Sequence, residues 1–417
     1  MNQRLLIRGG WILTMDPKFG NLTAGDVLVE AGRIAEIGTG LRARDALTID
    51  ATNSIVMPGF VDTHHHLAES LLSNAGEIPS EPPSGSYEPE DVYAATLIGL
   101  LAAAEAGITT VVDWLEASSP ARAAAALEAH ADSGLRTMVA LVPPWVGPGD
   151  EESGLRQLTE MGRGPATTVA VALPESSTDE VEKVAAAARR LGLRLFAHAG
   201  TSTQVKEWSK SGLLGRDLTL IHCSNLRDHE LDAIASSTTS VCLTPAAEMA
   251  AGLQPPIQKL IDRGIRPGLG VDRPGLAPGD LFAQMRAVIS LQHAASFDKK
   301  LAGKAGLPKL LTTREVIRYA TSDGAGAVGL GEVTGSIAPG KAADILVLAA
   351  DRPNIHPVND PIGAVVWGMD TSNVTWVVAG GQVLVADGRH QADVERARTL
   401  AFQSRQRLMN QQVGLAG

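Results

Sequence analysis

Two histidines spaced two residues apart follow an apolar run, and their type and spacing could do metal chemistry. The runs Ile55-Val56-Met57 and Phe60-Val61 lead into His64, His65 and His66. In a strand, residues two apart share a face, so His64 and His66 are predicted to point together while His65 points away. Two imidazoles on one face could supply half of a metal site. Taken alone, such a pair is more often a surface histidine run, so the metal interpretation depends on the rest of the chain.

Three more residues of ligand type follow apolar runs that are typical of strands. They are His198, His222 and Asp272. In a closed barrel of parallel strands, the carboxyl ends of all strands meet at one mouth. These residues would therefore converge with His64 and His66, and imidazoles with a carboxylate are donors that a zinc-type divalent ion prefers. We predict a metal centre at this mouth.

The elements that must position these side chains alternate between β-type apolar runs and alanine-rich helical stretches. With the run before His64 as the first of eight strands, the other seven are predicted at 108–114, 136–142, 167–173, 194–198, 218–222, 240–244 and 267–272. Helices are predicted at 91–106, 120–133, 178–191, 227–235, 256–263 and 278–294. This alternation predicts an α/β fold, a (β/α)8 TIM barrel. A doubly wound open sheet is the alternative, but it normally has fewer repeats and a glycine-rich phosphate turn that the sequence lacks.

Short strands separated by turns occupy both ends of the chain. Neither group is long enough to form a good core alone, so we predict that they pair into one small β-sandwich domain. The predicted domains are residues 1–56 with 336–417 for this composite sandwich, and 57–335 for the barrel. Two loops, 73–90 and 143–154, are predicted to cover the site or to set its specificity.

The composition argues against several classes of partner. With a net charge of −10 and no basic stretch, the 417-residue chain does not favour nucleic acid or an anionic membrane. No window approaches the roughly 18 apolar residues of a membrane span, and the first residues lack the apolar region of a secretory signal. Cys223 and Cys242 are too few for a disulfide framework. We expect a cytoplasmic protein with a small-molecule substrate, and a homo-oligomer is a further expectation.

As a set, the motifs resemble those of the amidohydrolase superfamily, in the branch of cytosine-deaminase-like and triazine-hydrolase-like enzymes. They are Pro58-Gly59-Phe60-Val61-Asp62-Thr63-His64-His65-His66, Phe196-Ala197-His198-Ala199-Gly200, Ile221-His222-Cys223, Gly270-Val271-Asp272 and the stretch from Gly335 to Asp344. The resemblance covers nearly the whole chain. It is specific for the superfamily and much less so for a substrate.

This resemblance implies roles for the strand-end residues. His64, His66 and His198 would bind one divalent metal ion, commonly zinc and sometimes iron, with Asp272 beside them in the ligand set. Asp272 would take a proton from the metal-activated water, and His222 would orient that water or polarise the substrate. Binuclear members add a bridging carboxylated lysine on strand four, and residues 167–174 contain no lysine. A mononuclear site is therefore implied.

One position departs from the family pattern. Enzymes of this branch usually carry a glutamate three residues after the strand-five histidine, and here Thr201 occupies that position. A hydroxyl cannot serve as a general acid near neutral pH. We predict that Glu116, after strand two, is catalytic in its place; the alternative is a solvated loop acid or a substrate contact. Glu248, Trp114, Glu69 and Thr201 are predicted to contact substrate, with a helix cap, core packing and a surface or lid contact as the alternatives for the first three.

The sequence as a whole predicts a metal-dependent hydrolase acting on non-peptide C–N bonds of a small cyclic or heterocyclic substrate, of deaminase or amidohydrolase type. One alternative is a metal-dependent lyase, dehydratase or decarboxylase on the same scaffold, since Thr201 removes the usual acid. Another is a binding barrel without catalysis. That alternative would be expected to lack ligands, whereas all five positions are filled.

Overall fold

A computed structural model describes residues 4–73, 87–141, 149–162, 164, 166–200 and 202–415. Thr201 lies outside the described residues, as do 74–86 of the first predicted loop and 142–148, which includes part of the second. The strands are β1 (Leu5–Leu13), β2 (Asn21–Glu30), β3 (Arg33–Gly38), β4 (Leu47–Asp50), β5 (Ser54–Pro58), β6 (Phe60–His65), β7 (Ile108–Leu115), β8 (Arg136–Leu141), β9 (Thr167–Ala172), β10 (Leu195–His198), β11 (Leu218–Ile221), β12 (Ser240–Leu243), β13 (Gly268–Leu269), β14 (Ile345–Ala349), β15 (Val374–Ala379), β16 (Gln382–Ala386) and β17 (Arg389–His390).

The helices lie mostly between the barrel strands and after them. They are α1 (Pro89–Glu105), α2 (Pro120–Ser133), α3 (Glu151–Met161), α4 (Thr178–Arg190), α5 (Ser202–Ser211), α6 (Asp228–Ser237), α7 (Pro245–Ala250), α8 (Ile257–Ile261), α9 (Leu281–Leu301), α10 (Thr313–Tyr319), α11 (Ser322–Ala327), α12 (Pro361–Trp367) and α13 (Val394–Leu415), with short 3-10 turns at Leu67–Leu72 and Thr371–Asn373. Within the described part of the chain, no helix is both long and apolar enough to cross a membrane.

Eight parallel strands, β6 to β13, pair in chain order to form the barrel. The seam closes between the first and the last strand: Asp272 N donates to His64 O at 2.9 Å, and His66 N donates to Asp272 O at 3.2 Å. Gly270 makes this approach possible, because a Cβ there would lie 2.8 Å from both the backbone N and O of His64. The predicted TIM barrel is confirmed, and the open-sheet alternative is wrong.

The barrel interior is filled by side chains that alternate along the strands. Phe196 is completely buried there and packs with smaller residues of the neighbouring strands, which include Val61, Val112, Ala140, Ala170, Ile221 and Cys242. The barrel is therefore a packed core with its functional surface at the mouth.

The predicted element bounds are close for the barrel and incomplete outside it. Strands two to seven each differ from the observed bounds by one residue, whereas strand eight is regular only over Gly268–Leu269. Helix α2 matches because its ends are marked in sequence: Ser119 accepts a hydrogen bond from Arg122 N, Pro120 follows, and Gly134 ends the helix with a φ of 72°. Helices α3, α5, α7 and α10 to α13 were not predicted, and α3 begins inside the predicted loop 143–154.

The two ends of the chain form one nine-stranded sheet. Its halves join where β5 pairs antiparallel with β14, with Met57 opposite Leu346. Helix α13 leaves this sheet and packs against α1, where Leu408 contacts the cluster around Ala95. Arg407 also forms an ion pair with Asp91 there. The division of the chain into two domains stays a prediction.

Candidate metal centre

Three imidazole nitrogens and one carboxylate oxygen converge at the barrel mouth. His64 Nε2 lies 3.1 Å from His66 Nε2 and 3.4 Å from His198 Nε2. Asp272 Oδ1 lies 3.5 Å from the Nε2 atoms of both His64 and His66. Ligands about 2.0–2.1 Å from a tetrahedral zinc ion are about 3.3–3.4 Å from one another. The donor atoms of His64, His66 and Asp272 all lie within 4.8 Å of one another, and their spacing fits one small divalent ion. His198 adjoins this set through its Nε2 contact with His64.

The strands place these side chains by alternation and by a sharp turn at the strand ends. His64 and His66 share a face of β6 and its continuation, as the sequence predicts, and His198 is the last residue of β10. His222 and Asp272 follow their strands with φ angles of 72° and 71°. Positive φ is uncommon for residues other than glycine and costs on the order of 1–3 kcal/mol. The chain bears this strain at two of the residues that the sequence assigns to chemistry.

Burial keeps the imidazoles neutral, which is the form that binds a metal. Burial, partly offset by the nearby Asp272, lowers the pKa of His64 to about 4. The pKa of His66 is also lowered, first by burial and then by His64. Burial alone would raise the pKa of Asp272. Its hydrogen bond to His64 and the neighbouring imidazoles lower that pKa by more than burial raises it, so the pKa lies below the usual range. Asp272 is therefore ionised at neutral pH.

The unprotonated Nε2 atoms of these histidines need a positively charged partner. Neutral imidazoles that turn unprotonated Nε2 atoms toward one another cannot hydrogen bond among themselves. On the far side of the ring, His198 Nδ1 lies 3.3 Å from Glu175 Oε1, so a proton on Nδ1 leaves the Nε2 lone pair for the centre. The buried Nδ1 of His64 has no hydrogen-bond partner among the described residues. These residues fit a bound divalent ion.

Glu175 was missed by the sequence analysis. Its only sequence signal is its place just after the fourth barrel strand, and its side chain is 72% exposed. Its pKa is lowered, chiefly by the hydrogen bond from His198. Glu69, whose contact with substrate stays a prediction, lies beside a proposed ligand, with Oε1 3.8 Å from His66 Nδ1 and 3.4 Å from Arg273 Nη1.

His222 lies at the same mouth, and a buried polar group holds it from behind. Its Nδ1 is 3.2 Å from Thr244 Oγ1 and 3.4 Å from Glu248 Oε1. Burial alone would lower the pKa of His222, but the hydrogen bond with Glu248 and its charge raise it overall. Three ring nitrogens, one from each of His64, His198 and His222, lie within 4.8 Å of one another. His222 is thus close enough to act on water or substrate at the centre.

Glu248 was predicted to face the substrate, and the structure places it behind His222 instead. Its side chain is fully buried. Its oxygens accept hydrogen bonds from Thr244 N at 2.8 Å and Ser224 Oγ at 2.6 Å. The first of these bonds lies at the start of α7, a helix that contains Glu248 and was not predicted from the sequence. Neither Thr244 nor Ser224 carried a signal in the sequence beyond its position near a strand end.

The remaining predicted site residues differ in where they lie. The Trp114 ring is buried, with its centroid 4.1 Å from that of His198 at an interplanar angle of 34°. Glu116 is exposed just after β7, and no hydrogen bond or ion pair joins it to another described residue. Thr201 lies outside the described residues. The catalytic role of Glu116 and the substrate contacts of Trp114 and Thr201 stay predictions.

His65 was predicted to point away from the site, and the structure shows that it also has a structural role. It does point away, but it is buried, and its Nδ1 donates to Asp62 Oδ2 at 2.7 Å. Asp62 Oδ1 accepts a hydrogen bond from Val271 N, at the last strand, at 3.0 Å. The pair therefore ties the first strand of the barrel to the last.

A parallel (β/α)8 barrel with these donors at its mouth defines a metal-dependent hydrolase. The chain belongs to the amidohydrolase family, whose model matches residues 55–384. It is an enzyme that hydrolyses non-peptide C–N bonds of small cyclic substrates with the help of a divalent metal ion. This sets aside the alternatives of a lyase and of a barrel without catalysis.

Several known proteins resemble this chain along nearly its whole length. A 5'-deoxyadenosine deaminase of Methanothermobacter thermautotrophicus is 30% identical, over 93% of this chain and 94% of its own. A 5-methylthioadenosine/S-adenosylhomocysteine deaminase of Symbiobacterium thermophilum is 28% identical, over 92% and 94%.

Solved structures show the same fold. An atrazine chlorohydrolase from Arthrobacter aurescens, complexed with zinc, is similar with a TM-score of 0.83 at 23% identity, over 96% of this chain and 100% of that one. An adenosine deaminase from Xanthomonas campestris with bound zinc also has a TM-score of 0.83, at 22% identity, over 97% and 98%. At these identities the similarity establishes the architecture alone.

Proposed function

We propose that this protein is a mononuclear, zinc-dependent deaminase of adenosine-type nucleosides. The observation that carries the proposal is the convergence on His64 Nε2 of one donor atom each from His66, His198 and Asp272, at 3.1–3.5 Å. The substrate class is supported by the deaminases that are 28–30% identical over more than nine-tenths of the chain. In the proposed reaction, water adds to the ring carbon that bears the amine, the C–N bond breaks, and ammonia leaves.

The proposed roles follow from charge and position. His64, His66, His198 and Asp272 would hold a divalent ion, which would lower the pKa of water and so make a nucleophile available near neutral pH. Asp272 is ionised and accepts the proton that the water gives up, then passes it to the departing amine. His222, held through Nδ1, stabilises charge that develops on the substrate through its other nitrogen. Trp114, which packs on His198, forms one wall for a flat purine ring.

The proposed reaction also needs an acid that protonates the ring. Thr201 stands where the family usually has a glutamate. Glu116 is our proposed replacement, because it is exposed at the end of the strand that carries Trp114. A Glu116→Gln variant that keeps its zinc should lose most of its kcat; unchanged kinetics would show that another group supplies the proton.

The test of the function uses metal-depleted protein reconstituted with zinc or iron(II). Ammonia release is measured with 5'-deoxyadenosine, 5-methylthioadenosine, S-adenosylhomocysteine and adenosine, and chloride release is measured with a chlorotriazine as a comparison. We expect zinc to restore nucleoside deamination, and the product formed in 18O-labelled water to carry the label. The proposal is wrong if the chelated enzyme stays fully active or if only the triazine is turned over.

A pair of histidine variants links the activity to the site. His198→Ala should lose bound zinc and activity by more than the roughly 10- to 100-fold that the loss of an outer hydrogen-bond partner costs. His229→Ala, an exposed histidine on α6, is the matched control and should retain both. Equal zinc content in the two variants would contradict His198 as a ligand.

We also propose that the protein is cytoplasmic. Its two cysteines, Cys223 and Cys242, are free and buried, as is common in a reducing compartment. Burial raises the pKa of both thiols, so neither is suited to act as a nucleophile. Fractionation of cells that express the protein tests this location.

A further inference from the structure

Thr244 connects two groups that the proposed reaction needs. It is completely buried at the start of α7, between the ends of two barrel strands. Its Oγ1 lies 3.2 Å from His222 Nδ1 on one side and 3.2 Å from Asp272 Oδ2 on the other. Since Asp272 Oδ1 faces the ligand nitrogens, Thr244 contacts the oxygen that points away from the centre.

The single hydroxyl proton of Thr244 determines which groups donate and which accept in these hydrogen bonds. A hydroxyl has one proton to donate and lone pairs that accept. Two carboxylate oxygens can accept that proton: Asp272 Oδ2 at 3.2 Å and Glu248 Oε1 at 3.4 Å. Asp272 is the nearer, and Glu248 Oε1 already accepts from Thr244 N, so we assign the hydroxyl proton to Asp272 Oδ2. The lone pairs of Oγ1 are then free to accept from His222, which requires the proton of that ring to sit on Nδ1.

Glu248 favours the same arrangement. Its carboxylate is buried, and a buried charge persists only when it is well hydrogen bonded. Thr244 N and Ser224 Oγ donate to its two oxygens at 2.8 and 2.6 Å. Oε1 also lies 3.4 Å from His222 Nδ1, where its negative charge favours a proton on that nitrogen.

We propose that Thr244 and Glu248 are positioning residues that lock His222 in its Nδ1–H tautomer and hold Asp272 in its working orientation. His222 then presents Nε2 to the reacting atoms, while Asp272 keeps Oδ1 at the centre. The catalytic consequence rests on the proposed function, but the tautomer is a property of the protein alone. The two can therefore be tested separately.

The first test reads the tautomer without any substrate. In the zinc-loaded protein with 15N-labelled histidine, we expect the His222 resonances of an Nδ1–H ring. Glu248→Gln and Thr244→Val should shift them toward a mixture of tautomers, and Thr244→Ser should retain the wild-type pattern. The matched control is Thr110→Val, because Thr110 is a buried barrel threonine whose hydroxyl has no partner among the described residues. Wild-type resonances in both Glu248→Gln and Thr244→Val would overturn the proposal.

The second test separates positioning from general stability. We expect Thr244→Val and Glu248→Gln to lower kcat by roughly 10- to 100-fold, as outer-sphere partners do, with KM within about twofold. Zinc content should stay at the wild-type level, Thr244→Ser should recover most of the loss, and Thr110→Val should change nothing. Loss of zinc, or equal losses in Thr244→Ser and Thr244→Val, would contradict the proposal. If no nucleoside is turned over by any form but the tautomer shifts as expected, the proposed function fails and the positioning inference stands.

Discussion

The outward-facing nitrogens of the four mouth histidines are held very differently. His222 Nδ1 has two buried partners, His198 Nδ1 faces the exposed Glu175, His66 Nδ1 is 3.8 Å from Glu69, and the buried His64 Nδ1 has no partner in the described regions. A hydrogen bond at this position fixes the ring and strengthens it as a ligand. Each of these hydrogen bonds should therefore hold its imidazole ring more firmly when the partner is more deeply buried.

Glu175 gives a prediction at the scale of a single residue. Loss of a hydrogen-bond partner of a metal ligand usually weakens metal binding by roughly 10- to 100-fold. Because the Glu175 side chain is 72% exposed, Glu175→Gln should weaken zinc binding by only about 10-fold. Competition with a chelator measures the affinity. Glu180→Gln, at an exposed site on the following helix, is the control and should leave it unchanged. A loss of 1,000-fold or no loss at all would contradict this assignment.

At the scale of elements, the seam between β6 and β13 has the shortest regular strand of the barrel on one side. Regular pairing in β13 covers only Gly268–Leu269, and beyond it two backbone hydrogen bonds of Asp272 join the strands, so a side-chain contact can add to the closure. The buried Asp62 does so by accepting from Val271 N at 3.0 Å while it pairs with His65. The His65 pKa is raised because the pull of Asp62 exceeds the effect of burial.

Asp62→Ala should therefore destabilise the protein strongly. Removal of one partner of a buried ion pair typically costs about 3–5 kcal/mol in the free energy of unfolding. Asp179→Ala is the control, since Asp179 pairs with Lys183 at 2.7 Å on an exposed helix face and should cost about 0–1 kcal/mol. Urea unfolding measures both. Similar losses in the two variants would show that the seam does not depend on this pair.

Site residues could be predicted from the sequence where they lie at the ends of barrel strands. They could not be predicted where their role depends on a partner that is distant in the chain. His198, His222 and Asp272 could be predicted because each ends an apolar run, and a barrel brings such ends together. The role of Asp62 could not, because the backbone group that it binds lies 209 residues further along the chain. Glu175 and Thr244 were missed for a similar reason: a polar residue after a strand is unremarkable until the neighbouring imidazole is known.

At the scale of the whole molecule, two buried histidines make stability depend on pH. The pKa of His64 falls from 6.5 to about 4 on folding, and the pKa of His66 also falls. As the pH drops from about 6.5 to 5, the unfolded chain takes up protons that the folded protein does not, so the free energy of unfolding decreases. The raised pKa values of His65 and His222 act only above this window, where their contribution is lost as the pH rises.

We therefore expect metal-free protein to lose stability on acidification through this window. Urea unfolding at a series of pH values measures the slope, and His64→Gln should flatten it. His229→Gln, at an exposed position, should leave the slope as it is. A stability that stays constant or rises between about pH 6.5 and 5 would contradict the low pKa of His64.

The seam also sets the order in which the metal site can be assembled. His64 and His66 belong to the first barrel strand, His198 to the fifth, and Asp272 follows the eighth. A chain emerging from the ribosome would present a bare histidine pair long before the carboxylate that completes the set. High-affinity zinc capture should thus occur late, once the last strand has docked beside the first, so that bound metal marks a chain whose barrel is finished.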